Sequence, residues 1–337
     1  MLAKKVMGAG GAGGGYPTGP FTNIFTGSIY GDIAAADVSN PASLSQTSYV
    51  GGYGEIRGLR VNRATSVVFA SDRNNGLLRA IDVSNPSSIS QISSKSGYSQ
   101  ARFVDLDTSA KVAFIDNNSL KRLYAVDVSN PASMVDLSFV SYADTQYFGA
   151  YDQTNKILFR TTGLSQKIQI FDASNPSSMA LLIEWSPGTN QWPYGIAVDE
   201  ANQVAFYADY NSPGYLRSFD YSTPGSPSLL GFVNIGAYGQ GVAIDLVNRV
   251  CYVALLNSNT ISAVDISNPS SMSLLGTLTV SLPYQLELDV DSGVLYCAGR
   301  SYGLGITSID VSNPASMTVL DTLTSTQIDY LYSVGGL

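Results

Sequence analysis

One short phrase recurs seven times along this chain, and the spacing of its copies decides what the chain can fold into. Asp37-Val38-Ser39-Asn40-Pro41-Ala42-Ser43 returns with small changes at Asp82, Asp127, Asp172, Asp265 and Asp310, and a degraded copy, Asp220-Tyr221-Ser222-Thr223-Pro224, completes the series. Successive copies lie 45, 45, 45, 48, 45 and 45 residues apart. Self-similarity at such a period, in a chain that reads as short strands between turns, marks a β-propeller with one four-stranded blade per repeat. The expectation is an all-β, seven-bladed propeller over residues 21–337, preceded by a Gly-rich arm over residues 1–20.

Residues 194–236 show the unit. Residues 194–199 form a short strand of small side chains, 203–209 alternate Val204, Phe206 and Ala208 on one side, and 215–221 and 229–235 follow as the outer two strands. The phrase falls after the third strand, where an Asn before Pro is held extended and Pro-Ser-Ser or Pro-Ala-Ser turns tightly. Its aspartate is expected to accept hydrogen bonds from the backbone of that turn. A role repeated at Asp37, Asp82, Asp127, Asp172, Asp220, Asp265 and Asp310 belongs to architecture, since an active site needs one constellation and a modular fold needs its turn chemistry in every module. Before Asp37 there is room for only two strands, and after Asp310 the chain supplies an outer strand and one segment more. Residues 327–334 are therefore expected to become the missing innermost strand of the first blade, closing the ring and removing its exposed edges.

Charged residues are 13% of the chain, against roughly 25% in an average soluble domain. With a net charge of −8 there is no basic surface to replace the counterions of a phosphate backbone, so nucleic acid is excluded as a partner. No stretch approaches the roughly 20 apolar residues of a membrane span. Behind Lys4 and Lys5 comes a run of glycines where a secretion signal needs about 7–15 apolar residues, so no ordinary leader is expected. Cys251 and Cys297 sit in corresponding strands of successive repeats with the same parity, which points them to the same face of separate blades. Two free, buried thiols are expected, in keeping with synthesis in a reducing cytoplasm.

The third strand and its turn, Leu78-Arg79-Ala80-Ile81-Asp82-Val83-Ser84-Asn85-Pro86 and again Leu123-Tyr124-Ala125-Val126-Asp127-Val128-Ser129-Asn130-Pro131, resemble the LVIVD repeat of bacterial and archaeal surface propellers. The resemblance covers the chain from about residue 21 to its end. It implies the blade and supplies no catalytic residues to carry over.

Two stretches spell catalytic motifs without the surroundings those motifs need. Gly8-Ala9-Gly10-Gly11-Ala12-Gly13 satisfies G-x-G-x-x-G, but a dinucleotide site sets the motif between a strand and a helix, and here more glycine follows. Gly299-Arg300-Ser301-Tyr302-Gly303 satisfies G-x-S-x-G, yet the chain has no histidine to take the serine proton, and the segment reads as a turn between strands. Without histidine, and with two cysteines in separate repeats, no closed zinc ligand set is available, and neither metal nor cofactor is expected. Acids near the innermost strands, Glu55, Asp105, Glu287 and Asp329, differ in predicted register and read as solvated or paired rim charges.

Two features remain to carry function. The arm, with Met1, Leu2, Lys4 and Lys5 at its tip, is a flexible coil when free. Ordering it costs about 1–2 kcal/mol per residue, so a partner's groove is expected to hold it. The second feature is an aromatic in nearly every loop that leads to an innermost strand, namely Tyr53, Tyr98, Tyr142, Trp192, Tyr238 and Tyr284. Just downstream, Arg57, Arg102, Tyr147, Tyr194, Gln240 and Gln285 fall near the channel mouth. A ring of tyrosines offers large contact area at little entropy cost and suits a glycan or a protein surface. The expectation is a non-enzymatic interaction protein, anchored by its arm among the structural proteins of a larger assembly. The arm ahead of a β module resembles virion components of tailed phages, which implies a tail or capsid-decorating adhesin with a glycan or host-surface receptor as partner. An exported or cell-surface LVIVD-type binding propeller is the alternative, and a carboxylate- or metal-dependent propeller hydrolase is the third reading.

Overall fold

The computed structural model describes residues 19–337 except 103, 146, 163, 164, 329 and 330. Seven four-stranded antiparallel sheets form the blades. Each innermost strand touches the innermost strands of the blades before and after it, and that of the seventh touches the first, so the sheets close into a ring around a channel. In the fifth blade Pro193–Asp199, Val204–Asp209, Gly214–Asp220 and Ser228–Gly236 follow from the channel outward, as the alternation in the sequence predicts. Apolar side chains fill the layers between neighbouring blades. Among the described residues no helix is long and apolar enough to cross a membrane.

The ring is closed by its C-terminal strand. Leu331–Gly336 pairs antiparallel with Asn23–Ser28 in the first blade, placing Phe25 opposite Gly335 and Ile24 opposite Gly336. This strand starts later than the sequence suggests because Ser325 to Ile328 form a turn, in which the Ile328 N–H donates to the Ser325 hydroxyl at 3.0 Å. Ile328 and Leu331 are completely buried.

All seven phrase aspartates do what the repeat predicts. The Oδ1 atoms of Asp37, Asp82, Asp127, Asp172, Asp220, Asp265 and Asp310 each accept the N–H of the serine two residues on, at 2.7–2.9 Å. Hydrogen bonds from Ser39 and Ser84 hold the carboxyls of Asp37 and Asp82 below the usual range.

The phrase also has a second task. Its proline carbonyl accepts a hydroxyl from the preceding blade, from Ser48 to Pro86 at 2.6 Å, Ser93 to Pro131 at 2.5 Å, Ser138 to Pro176 at 2.6 Å and Ser308 to Pro41 at 2.6 Å. Where glycine replaces the outer-strand serine the backbones approach, so that a Cβ on Gly231 would stand 2.6 Å from the Pro269 oxygen, and a third-strand serine supplies the hydroxyl, as from Ser218 to Pro269 at 2.6 Å. Ser93→Ala is expected to cost about 1 kcal/mol, the worth of one hydrogen bond whose acceptor loses its donor. A drop in the urea midpoint at unchanged slope measures it, and an unmoved midpoint would remove this bond from the forces that hold the blades together.

Cys251 and Cys297 are free and buried. They lie in separate inter-blade layers, Cys251 beside Phe206 and Leu255 and Cys297 beside Tyr252 and Leu295. That separation follows from the shared parity of the two strands.

Candidate functional site

Every innermost strand is paired with the second strand of its blade, and the pairing defines levels down the channel. At one level the partner is aromatic in all seven blades. Phe25, Phe69, Phe114, Phe159, Phe206, Tyr252 and Tyr296 stand opposite Gly335, Arg60, Asp105, Ala150, Ala197, Ala243 and Glu287. These rings are buried between blades, so they support the level without entering the channel. The inner members divide into two arcs. Glu287, Gly335, Arg60 and Asp105 belong to blades seven, one, two and three, while the alanines belong to blades four, five and six. Long charged side chains therefore stand on one side of the ring, and on the other small alanines, of which Ala150 and Ala243 are buried against the layers between blades.

The expectation that Asp105 and Glu287 differ in register is thus corrected, while Asp105 is paired, as one of the two expected states of these acids. The Arg60 Nε donates to Asp105 Oδ1 at 3.2 Å, and its Nη1 donates to the Leu59 carbonyl at 3.0 Å. The Arg60 side chain is 39% exposed although its strand borders only the channel and the adjoining blades, so that exposure is to the channel. Asp105 also accepts from the Leu106 N–H at 2.9 Å, and Glu287 Oε1 accepts from the Gly336 N–H at 3.4 Å. Burial pushes both carboxyls above the usual range, against the pull of Arg60 on Asp105 and of Arg63 and Arg60 on Glu287. Among the described residues no three His, Cys, Asp or Glu side chains converge as a metal-binding group.

At the mouth formed by the aromatic-bearing loops, rings crowd the axis. Phe148 of blade four and Tyr284 of blade seven approach to 5.8 Å between centroids. Those blades are not neighbours, so the contact spans and constricts the channel. Tyr147, Tyr194, Ile29 and Leu282 pack around it, and the Arg300 guanidinium lies 4.8 Å over the Tyr284 ring.

The structure separates the predicted loop aromatics into two groups. Tyr98 is wholly buried and donates its hydroxyl to Asp136, which together with burial pushes the phenol up. Tyr142 is buried under the Arg160 guanidinium, 3.8 Å from its ring, and burial pushes its phenol up to about 12. Tyr53 lies beneath Arg79 at 3.8 Å. These three pack loops against blades. Trp192 and Tyr238 are half-buried, with the Trp192 N–H donating to Asp209 Oδ1 at 2.6 Å. Tyr238 belongs to a continuous row. Tyr147 to Tyr194, Tyr194 to Tyr210 and Tyr210 to Tyr238 have centroid separations of 4.7, 4.6 and 5.3 Å. Tyr210, which comes from a turn between the second and third strands, has no counterpart in the sequence-derived set. Of the predicted arginines, Arg57 is tied to Glu55 at 2.6 Å, which also binds Arg73 at 2.7 Å, and Arg102 lies 5.0 Å over the Tyr147 ring. The Gly299 to Gly303 segment lies between the strands Val294–Gly299 and Ile306–Asp310, as a turn. Met1, Leu2, Lys4 and Lys5, the glycine motif behind them and Asp329 lie outside the described residues.

The model of the LVIVD repeat matches residues 68–95, 112–140, 165–185, 251–280 and 293–324. No curated protein matches the chain. Among solved structures, a protein from Lactobacillus plantarum is 13% identical, with a TM-score of 0.80 over 93% of this chain and 98% of that one. The periplasmic gluconolactonase of Pseudomonas aeruginosa is 11% identical, with a TM-score of 0.77 over 93% and 98%. A candidate 6-phosphogluconolactonase from Bacteroides uniformis is 10% identical, with a TM-score of 0.79 over 94% and 99%. At these identities the likeness is one of fold. It nevertheless corrects the expectation of a protein without enzymatic activity, because propellers that superpose over nearly the whole chain bear the names of hydrolases.

Proposed function

We propose that this LVIVD-repeat propeller hydrolyses a neutral, hydroxyl-rich cyclic ester, a sugar lactone, within its central channel. The level that sets Glu287, Arg60 and Asp105 along one wall, opposite Ala150, Ala197 and Ala243, carries the reading. Two carboxyls there are balanced by Arg60 and the nearby Arg63, so the wall favours neither a free cation nor a free anion. It presents carboxyl acceptors and a guanidinium donor to the hydroxyl groups of such a ring. The name of the gluconolactonase neighbour agrees with that chemistry.

The roles follow from the contacts. Glu287, whose carboxyl burial raises above the usual range, is suited to proton transfer. It takes a proton from water as the water oxygen bonds to the lactone carbonyl carbon, and returns it to the ring oxygen as the acyl C–O bond breaks, leaving an open hydroxy acid. Arg60 places positive charge where the oxyanion develops, and Asp105 positions Arg60.

The anchored-adhesin reading depends on arm residues outside the described structure, and no observation favours it over the channel. Proton release from D-glucono-1,5-lactone in dilute buffer tests the proposal. Saturable acceleration over the spontaneous rate is expected. A rate equal to the spontaneous one across a range of aldonolactones, with no heat of binding, would refute it.

A further inference from the structure

We infer that the tyrosine row on the loop-bearing face is a second binding site, separate from the channel level, and that it takes an acidic oligosaccharide. Tyr147, Tyr194, Tyr210 and Tyr238 are all half-buried, so their rings are held by one another yet still reach the surface. The row runs from blade four across blade five to the loop entering blade six. Aromatic side chains give contact area with few rotamers to freeze, and a row of them suits the apolar faces of successive sugar rings.

The backbone supplies an independent observation. Tyr238 has φ of 60°. The other non-glycine residues in that left-handed region are Ser, Gln, Lys, Asn or Arg in turns, among them Ser66, Lys111, Gln203 and Asn259, with the exception of Leu282 in the corresponding loop of blade seven. A tyrosine there is unfavourable and persists only where something holds it. Asn or Gly would make the same turn more easily, so the turn does not account for the ring that packs on Tyr210.

The charge of the occupant is set at the other end of the row. The Arg102 guanidinium extends it over Tyr147, and Arg102 forms no ion pair among the described residues. In a chain of net charge −8 this is a locally placed cation, with fork geometry that matches a carboxylate. A uronate-containing chain supplies both stacking faces and carboxylates.

The test uses the full chain, titrated calorimetrically with hexagalacturonate and with neutral cellohexaose. Hexagalacturonate is expected to bind, and Arg102→Gln and Tyr238→Asn are each expected to weaken it at least tenfold while lactone turnover stays as in the parent. Tyr238→Asn should leave Tm unchanged or raise it, because asparagine tolerates the left-handed backbone. Absence of binding to either oligosaccharide overturns the site. Equal binding of cellohexaose, insensitive to Arg102→Gln, overturns the acidic assignment. A lowered Tm in Tyr238→Asn with binding retained shows that the row is packing alone and overturns the proposal.

Discussion

A chain ending at residue 326 is expected to lose its cooperative fold at room temperature. The deletion strips the innermost strand from the first blade and, with it, the pairing of Ile24 through Ser28 to Leu331–Gly336. It removes Ile328 and Leu331, both completely buried, at about 1.5–3 kcal/mol each in lost burial, and a cavity adds to that loss. The contacts of Leu337 go too, since the Leu337 N–H donates to the Asn23 carbonyl at 2.8 Å and the Thr22 N–H donates to the Leu337 carbonyl at 3.1 Å. The sum approaches the roughly 5–15 kcal/mol that holds a domain folded. The uncovered edge of Asn23–Ser28 would also be free to pair with other chains, so aggregation is expected alongside unfolding. Thermal unfolding and sedimentation of the truncated chain measure both effects. A soluble monomer with an unchanged Tm would show that the closing strand does not fasten the ring. Leu331→Asp should reproduce most of the loss within the full-length chain, because an unpaired charge would then be placed in the same buried position.

The features read correctly from the sequence are those whose causes are local. Asp82 binds the backbone two residues away, so its role is written in the phrase itself, and the closing strand follows from counting strands between phrases. The channel level has a different kind of cause. Near the loop end the innermost strands of blades two, five, six and seven carry register shifts, between Ile56 and Gly58, Pro193 and Ile196, Gly239 and Val242, and Pro283 and Gln285. Each shift displaces any count made downward from the loops, and Asp105 and Glu287 then fall out of step. Counted upward from the turn at the other end, Arg60, Asp105 and Glu287 take the same place, and the Phe or Tyr opposite each marks it. The loop tyrosines illustrate the remaining limit. Tyr98 and Tyr238 occupy comparable loops, yet Tyr98 is drawn inside by Asp136 while Tyr238 meets Tyr210 at the surface. Those partners are distant in sequence, and no property of either tyrosine announces them.

Glu287→Gln is expected to reduce lactone hydrolysis about 100-fold, the lower end of what a proton-transferring group contributes, while making the propeller more stable at pH 8. The stability effect follows from burial, which raises the Glu287 carboxyl in the folded state above its unfolded value. The native protein then holds that proton more tightly than the unfolded chain, so stability falls as pH rises from the unfolded pKa, about 4.3, through the folded one. Gln cannot ionise and still accepts the Gly336 N–H. Its advantage is therefore absent below about pH 4 and complete above the folded pKa, with a gain of about 0.5–2 kcal/mol of the kind seen when a functional strain is relieved. Urea midpoints of the two proteins at pH 4 and pH 8 measure the difference. The parent's turnover should rise with pH as Glu287 ionises, and this limb should vanish in the variant. A carboxylate kept only to brace Gly336 behaves in the opposite way, since its loss lowers stability and leaves turnover unchanged. Because the two roles predict opposite signs in one variant, a stable, inactive Glu287→Gln is the result that assigns Glu287 to chemistry, and an active or weakened one removes it.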